Sequence, residues 1–219
     1  MVPMILVVLA ACNPPNPYSF SGANMSEFFP FDCEERTWQF VNEDESLSFK
    51  MDAQVLYEEA TGKPGSRVYP VVYTSNCPSD EPECIEGEEF FRIHWQSTSS
   101  DGVSIHGYSV EGGELIEFKP PIQLSNADGK RGDIVETETG GTTWTSELVS
   151  FEACPVRMSV DWEECVHFRL DGDGTYPLQG DWWAIVQYNV VAMQPDGATG
   201  MWQLSTVDSE PPESCDGQW

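Results

Sequence analysis

Three histidines, His94, His106 and His167, are the only imidazoles in 219 residues. His94 and His167 alternate with apolar neighbours, so both are expected on the solvated side of a strand. Their spacing shows no convergence of ligands, and no metal is assigned to them. No G-x-S-x-G turn is present, and no serine stands in a recognisable triad context. Asp171-Gly172-Asp173-Gly174 has the start of a calcium loop, but its sixth and twelfth positions are Tyr176 and Trp182 where an EF-hand needs Gly and Glu. A hairpin turn is the expectation there. Paired acids such as Glu88-Glu89 and Glu163-Glu164 say little about glycosidase chemistry in a chain with 37 carboxylates. Trp182-Trp183 is the most suggestive pair. On a strand the two rings face opposite sides, one to the core and one outward, where an exposed ring could stack on a sugar. No cofactor motif is found.

Charge narrows the partners. The 37 acids stand against 10 Lys and Arg, a formal charge of -27. Such a surface repels phosphates and anionic head groups, which excludes nucleic acid. It leaves cations, neutral glycans, apolar ligands and basic proteins as candidate partners.

The first eleven residues, MVPMILVVLAA, carry no charged side chain and are too few to span a bilayer as a helix. They suit the apolar part of a signal peptide, although Pro3 stands early in it and no Lys or Arg precedes it. The segment ends Leu9-Ala10-Ala11-Cys12, which resembles the bacterial lipobox. That resemblance implies cleavage before Cys12, acylation of its thiol and attachment to membrane through the lipid. Asn13 at the following position implies, by analogy with enteric bacteria, the outer membrane. Asn13-Pro14-Pro15-Asn16-Pro17 cannot pair as a central strand but makes an extended tether.

The seven cysteines fit the same picture. An odd count in an exported chain leaves one thiol to explain, and acylation of Cys12 explains it. Six remain, and an oxidising compartment would join them as three disulfides. Cys77 and Cys84 bracket a turn-rich loop and are expected to pair. Nearest-neighbour pairing of the others gives Cys154 with Cys165 and Cys33 with Cys215. The first has a rival geometry. If Val156–Val160 and Val166–Leu170 form a tight hairpin about 161–164, Cys154 lies about 20 Å from Cys165 at roughly 3.3 Å per residue, and a disulfide needs Cα atoms within about 7 Å. The pairing of these four therefore stays open.

The elements that must position these residues are strands. Alternating segments recur at Trp38–Val41, Val68–Tyr73, Phe91–Trp95, Val103–Ile105, Leu115–Phe118, Trp144–Val149, Val166–Leu170, Trp183–Val191 and Met201–Leu204. Turn signals separate them, among them Asp101-Gly102, Gly112-Gly113, Gly140-Gly141 and Pro195-Asp196-Gly197. Asp52–Ala60 could be helical, but strand is preferred. The reading is all-β: roughly ten to twelve antiparallel strands in a sandwich or curved half-barrel. The domains are 1–11 signal peptide, 12–30 acylated cysteine and tether, 31–207 β-domain and 208–219 tail. The series Phe29-Pro30, Trp38, Asp101-Gly102, Pro120-Pro121 and Trp144 also resembles a broad set of bacterial envelope lipoproteins. That resemblance implies an all-β domain, in some members like the half-barrels of lipoprotein carriers, and no particular activity. Here Cys33 and Glu34 stand where those sequences have Gly, and Phe40 replaces a Tyr. The function expected is a non-enzymatic binding or structural role in the cell envelope. The alternatives are a carbohydrate-binding module using Trp182 and Trp183, and a carrier of an apolar ligand.

Overall fold

The computed structural model describes residues 23–31, 37–44, 49–78, 84–156, 164–172, 177–186 and 188–207. Cys12, Cys33 and Cys215, the leader, the Pro-rich run and the 208–219 tail lie outside the described residues. The strands are β1 (Ala23–Asn24), β2 (Thr37–Asn42), β3 (Lys50–Val55), β4 (Val68–Asn76), β5 (Glu89–Thr98), β6 (Gly102–Val110), β7 (Ile116–Ser125) and β8 (Asp128–Gly129). They continue as β9 (Ile134–Thr139), β10 (Thr142–Glu152), β11 (Cys165–Asp171), β12 (Gly180–Ile185), β13 (Asn189–Pro195) and β14 (Trp202–Val207). Of the Asp52–Ala60 stretch, the first part lies in β3 and Tyr57–Glu59 forms one 3₁₀ turn.

Twelve of these strands form one antiparallel sheet in the order β7-β6-β5-β4-β3-β2-β14-β13-β12-β11-β10-β9. Two meanders, β2 to β7 and β9 to β14, are joined where β14 pairs with β2. The sheet curls into a nearly closed half-barrel, which decides between the two architectures left open by the sequence. Alternation explains which side each residue takes. In β5, Phe91, Ile93 and Trp95 face the interior and Arg92, His94 and Gln96 face outward. In β10 and β11, Trp144, Leu148, Phe168 and Leu170 are buried inside, while Glu147, His167 and Arg169 lie outside. The loop Gly140-Gly141, with φ of 61° and 83°, makes the two-residue turn that right-handed strand twist favours between β9 and β10.

The two ends of the sheet, β7 and β9, lie side by side without a backbone ladder between them. Hydroxyls close the seam instead. Thr139 Oγ1 accepts from the Lys119 N–H at 3.0 Å and Thr137 Oγ1 from the Gln123 N–H at 3.0 Å. Ser146 Oγ donates to the Leu124 carbonyl at 2.6 Å. Pro120 and Pro121 leave that stretch of β7 with no N–H to offer.

The interior is filled by the chain itself. Residues 23–30, assigned from sequence to the tether, join Phe31 in the core. β1 pairs with β8, Met25 N–H donates to the Ala127 carbonyl at 2.8 Å, and a 3₁₀ turn, Met25–Phe28, is capped by the Asn24 side chain. A Cβ on Gly129 would crowd the Met25 side chain and Leu148 Cδ1, so glycine lets this strap lie close across the β7–β9 connection. Met25, Phe28, Phe29 and Phe31 are all at most 2% exposed. Phe29 lies against Trp95 with ring centroids 5.6 Å apart and against Phe168 at 6.1 Å, and Phe31 stacks on Tyr69 and Trp95. The domain therefore begins at or before Ala23, because these apolar side chains gain more from burial than an extended tether could give them.

Candidate functional site

The densest polar cluster among the described residues is on the outer face of β10 to β13. Strand register builds it. Ser150 stands opposite His167, His167 opposite Trp183, and Arg169 opposite Asp181. A register shift between Leu148 and Ser150 brings Ser150 and Glu152 to the outer side. His167 Nε2 donates to Asp181 Oδ1 at 2.8 Å, since a carboxylate can only accept, and Nδ1 lies 3.3 Å from Glu152 Oε1. Arg169 reaches Asp181 at 2.9 Å, Asp171 at 3.0 Å and Asp196 through both terminal nitrogens at 2.8 and 2.6 Å. Gln179 Nε2 also donates to Asp196.

The electrostatics follow from these contacts. Burial alone would raise the Asp181 carboxyl, but hydrogen bonds from His167 and Arg169 outweigh it and hold it below the ordinary range. For Glu152, too, burial is outweighed by hydrogen bonds from the Trp183 ring N–H and the Ser150 hydroxyl. Asp196 is lowered by its bonds to Arg169 and then to Gln179. Arg169 is correspondingly held more firmly protonated, its bond to Asp196 contributing most.

Ser150, His167 and Asp181 form a Ser-His-Asp chain of atoms, which spacing along the sequence does not reveal. The geometry is poor for nucleophilic catalysis. The hydroxyl donates to Glu152 at 2.8 Å and lies 3.5 Å from His167 Nδ1. Attack would place a developing oxyanion beside the Glu152 carboxylate, where repulsion opposes it. The arrangement is that of an ion-pair network. Arg169 occupies the space between Asp171, Asp181 and Asp196, and no metal-binding group of three His, Cys, Asp or Glu forms among the described residues.

Trp182 and Trp183 do face opposite sides, as alternation implies, but neither is available for stacking on a sugar. Trp182 is 2% exposed, meets Trp95 edge-on at 6.0 Å and donates from Nε1 to the Leu178 carbonyl. Trp183 is 6% exposed. His167 covers its face at 4.4 Å with 16° between the planes, and Glu152 accepts from its N–H at 2.7 Å. The expectation of an exposed ring is corrected: the outward side of a strand is buried wherever a neighbouring strand supplies a flat partner. The other described tryptophans, Trp38, Trp95, Trp144 and Trp202, are buried as well. Aromatic rings, Phe28, Phe29, Phe31 and Trp95 among them, pack the interior.

Two disulfides are formed among the described residues. Cys77 pairs with Cys84 at a Cα separation of 5.7 Å and Cys154 with Cys165 at 5.0 Å. The rival hairpin geometry fails because β11 takes β10 as its partner. Glu152 stands opposite Cys165, which brings Cys154 close. His94 and His106 lie half-buried on the outer face of β5 and β6. Burial lowers the basicity of both, and Arg92 lowers His94 further. His106 Nε2 lies 3.1 Å from the Gln96 side-chain oxygen.

Comparison with protein-family models, with curated proteins and with solved structures finds no match. The reading of function rests on the geometry and the sequence.

Proposed function

We propose that the protein is an exported, lipid-anchored module of a bacterial cell envelope with a binding or structural role. The observation that carries this reading is the closeness of the lipobox-like Leu9-Ala10-Ala11-Cys12 to the fold. Ten residues separate Cys12 from Ala23, where the chain enters the barrel. Fully extended, that stretch reaches roughly 35–40 Å. An acyl group on Cys12 would hold the strapped end of the barrel near the bilayer and leave its flanks free for partners. The two cystines support an oxidising compartment. The exterior carries Asp52, Glu117, Glu136, Glu138 and Glu147 and the interior is aromatic, a polarity opposite to that of barrels that cross membranes.

Mass spectrometry of the membrane fraction tests the anchor. The expected mature chain begins at an acylated Cys12, and Cys12→Ala moves the protein to the soluble fraction. An intact Met1 on the native protein, or membrane attachment unchanged by Cys12→Ala, overturns the reading.

A further inference from the structure

We propose that the open edge of β9 is a docking site for an extended basic segment of another protein, which joins the sheet as a further strand. The proposal concerns the sheet alone and holds whether or not Cys12 is acylated. β9 has one ladder neighbour, β10. The two-residue turn makes Thr139 and Thr142 a hydrogen-bonded pair, and Leu148 N–H donates to the Asp133 carbonyl at 2.9 Å. Residues 133, 135, 137 and 139 therefore turn their backbone groups toward β10. Those of Ile134, Glu136 and Glu138 point to the other side, where no strand among the described residues pairs with them.

β7 does not take this place. It is held by the inward hydroxyls of Thr137 and Thr139, not by the edge of β9. The edge of β7 is itself closed to a partner by those hydroxyls and by Pro120 and Pro121. β9 has no proline and no bulge, and its Ile, Val and Thr residues favour extended backbone.

The side chains beside this edge define the partner. Ile134, at 60% exposure, Glu136 and Glu138 face outward, with Glu147 opposite Ile134. Neither Glu136 nor Glu138 forms an ion pair among the described residues, and Lys119 across the seam is engaged by Glu117 at 2.5 Å. A second copy would set glutamate rows against each other on top of a net charge of -27 per chain. A foreign strand with Lys or Arg at every second position meets the charge, and its backbone completes the ladder.

The probe is the synthetic peptide Lys-Val-Lys-Val-Lys-Val-Lys, compared with a version N-methylated at alternate residues, which keeps its charge but cannot form the ladder. The unmodified peptide should bind, and the amides of Glu136 and Glu138 should become protected from hydrogen exchange. Loss of two ladder bonds should weaken the methylated peptide about tenfold or more. Glu136→Pro, which removes an N–H that β10 does not use, should weaken the unmodified peptide by about the same factor. If Glu136→Pro fails to fold, the methylated peptide decides alone. Equal binding of both peptides would reduce the effect to bulk charge and overturn the proposal. So would absence of binding, or a dimer in sedimentation that Glu136→Pro dissolves.

Discussion

Phe29→Ala tests whether residues 23–31 are part of the core. The ring is 1% exposed and sits between Trp95 at 5.6 Å, Phe168 at 6.1 Å and Phe31 at 6.3 Å. Truncating a buried Phe removes its transfer free energy and leaves a cavity, together about 3–5 kcal/mol. The upper half of that range applies here, because the neighbouring rings are held by the barrel wall and cannot collapse into the space. For a domain of this size each kcal/mol lowers Tm by about 2–4 °C, so the expected fall is roughly 8–20 °C. Urea unfolding followed by Trp fluorescence and by far-ultraviolet circular dichroism gives the free energy, with the slope unchanged if the unfolded state is the same. Ile85→Ala is the control. Its side chain is 64% exposed, and the change should stay within about 0.5 kcal/mol. A Phe29→Ala loss below about 1 kcal/mol would refute the reasoning, because the barrel would then be stable without this ring.

The seam, the outer network and the Cys154–Cys165 disulfide give further tests. Thr137→Val and Thr139→Val each leave a backbone N–H of β7 without its partner, at a cost of about 1–3 kcal/mol, and should speed amide exchange at Gln123 and Lys119 respectively. Asp181, Asp196 and Glu152 are held below their unfolded values. The stability they contribute is full above about pH 4, the unfolded carboxylate range, and is lost as pH falls through their lowered folded values. Arg169→Met should bring Asp181 and Asp196 back up and move acid unfolding to higher pH, read from carboxyl carbon shifts and an acid titration. An unchanged midpoint would show that the network is too exposed to matter. Replacing both Cys154 and Cys165 by Ser should cost about 2–3 kcal/mol for a loop of this length, and reducing agent should then have correspondingly less effect on stability than in the native protein.

The strands were legible because burial on one face imposes period two. Phe91, Ile93 and Trp95 against Arg92, His94 and Gln96 need no further information, and Gly140-Gly141 marks a turn by backbone sterics alone. Residues 23–30 were not legible for the complementary reason. Their apolar side chains enter the lumen from a short strand and one 3₁₀ turn, so no period survives, and the Pro-rich run before them suggests a tether. The outer network was hidden by register. His167 and Arg169 share a face from their spacing in β11, but their meeting with Asp181 depends on how β12 slides against β11, which no local signal specifies. The same register covers Trp183 with His167 and removes the stacking platform that the Trp pair suggested.

These particulars limit where the molecule can bind anything strongly. A lumen filled by Phe28, Phe29, Phe31 and Trp95 offers little volume, and the outer network consumes its own donors: Arg169 is spent on Asp171, Asp181 and Asp196, and His167 on Asp181. Unused hydrogen-bonding capacity in an antiparallel sheet collects at its edges. A curled sheet has two, and here one is closed by Thr137, Thr139 and a pair of prolines. The other leaves the backbone of Ile134, Glu136 and Glu138 unpaired among the described residues. Closure of the barrel thus depends on the inner sides of β9 and β10, through Thr137, Thr139 and Ser146, and the edge of β9 can accept a partner strand without opening the fold.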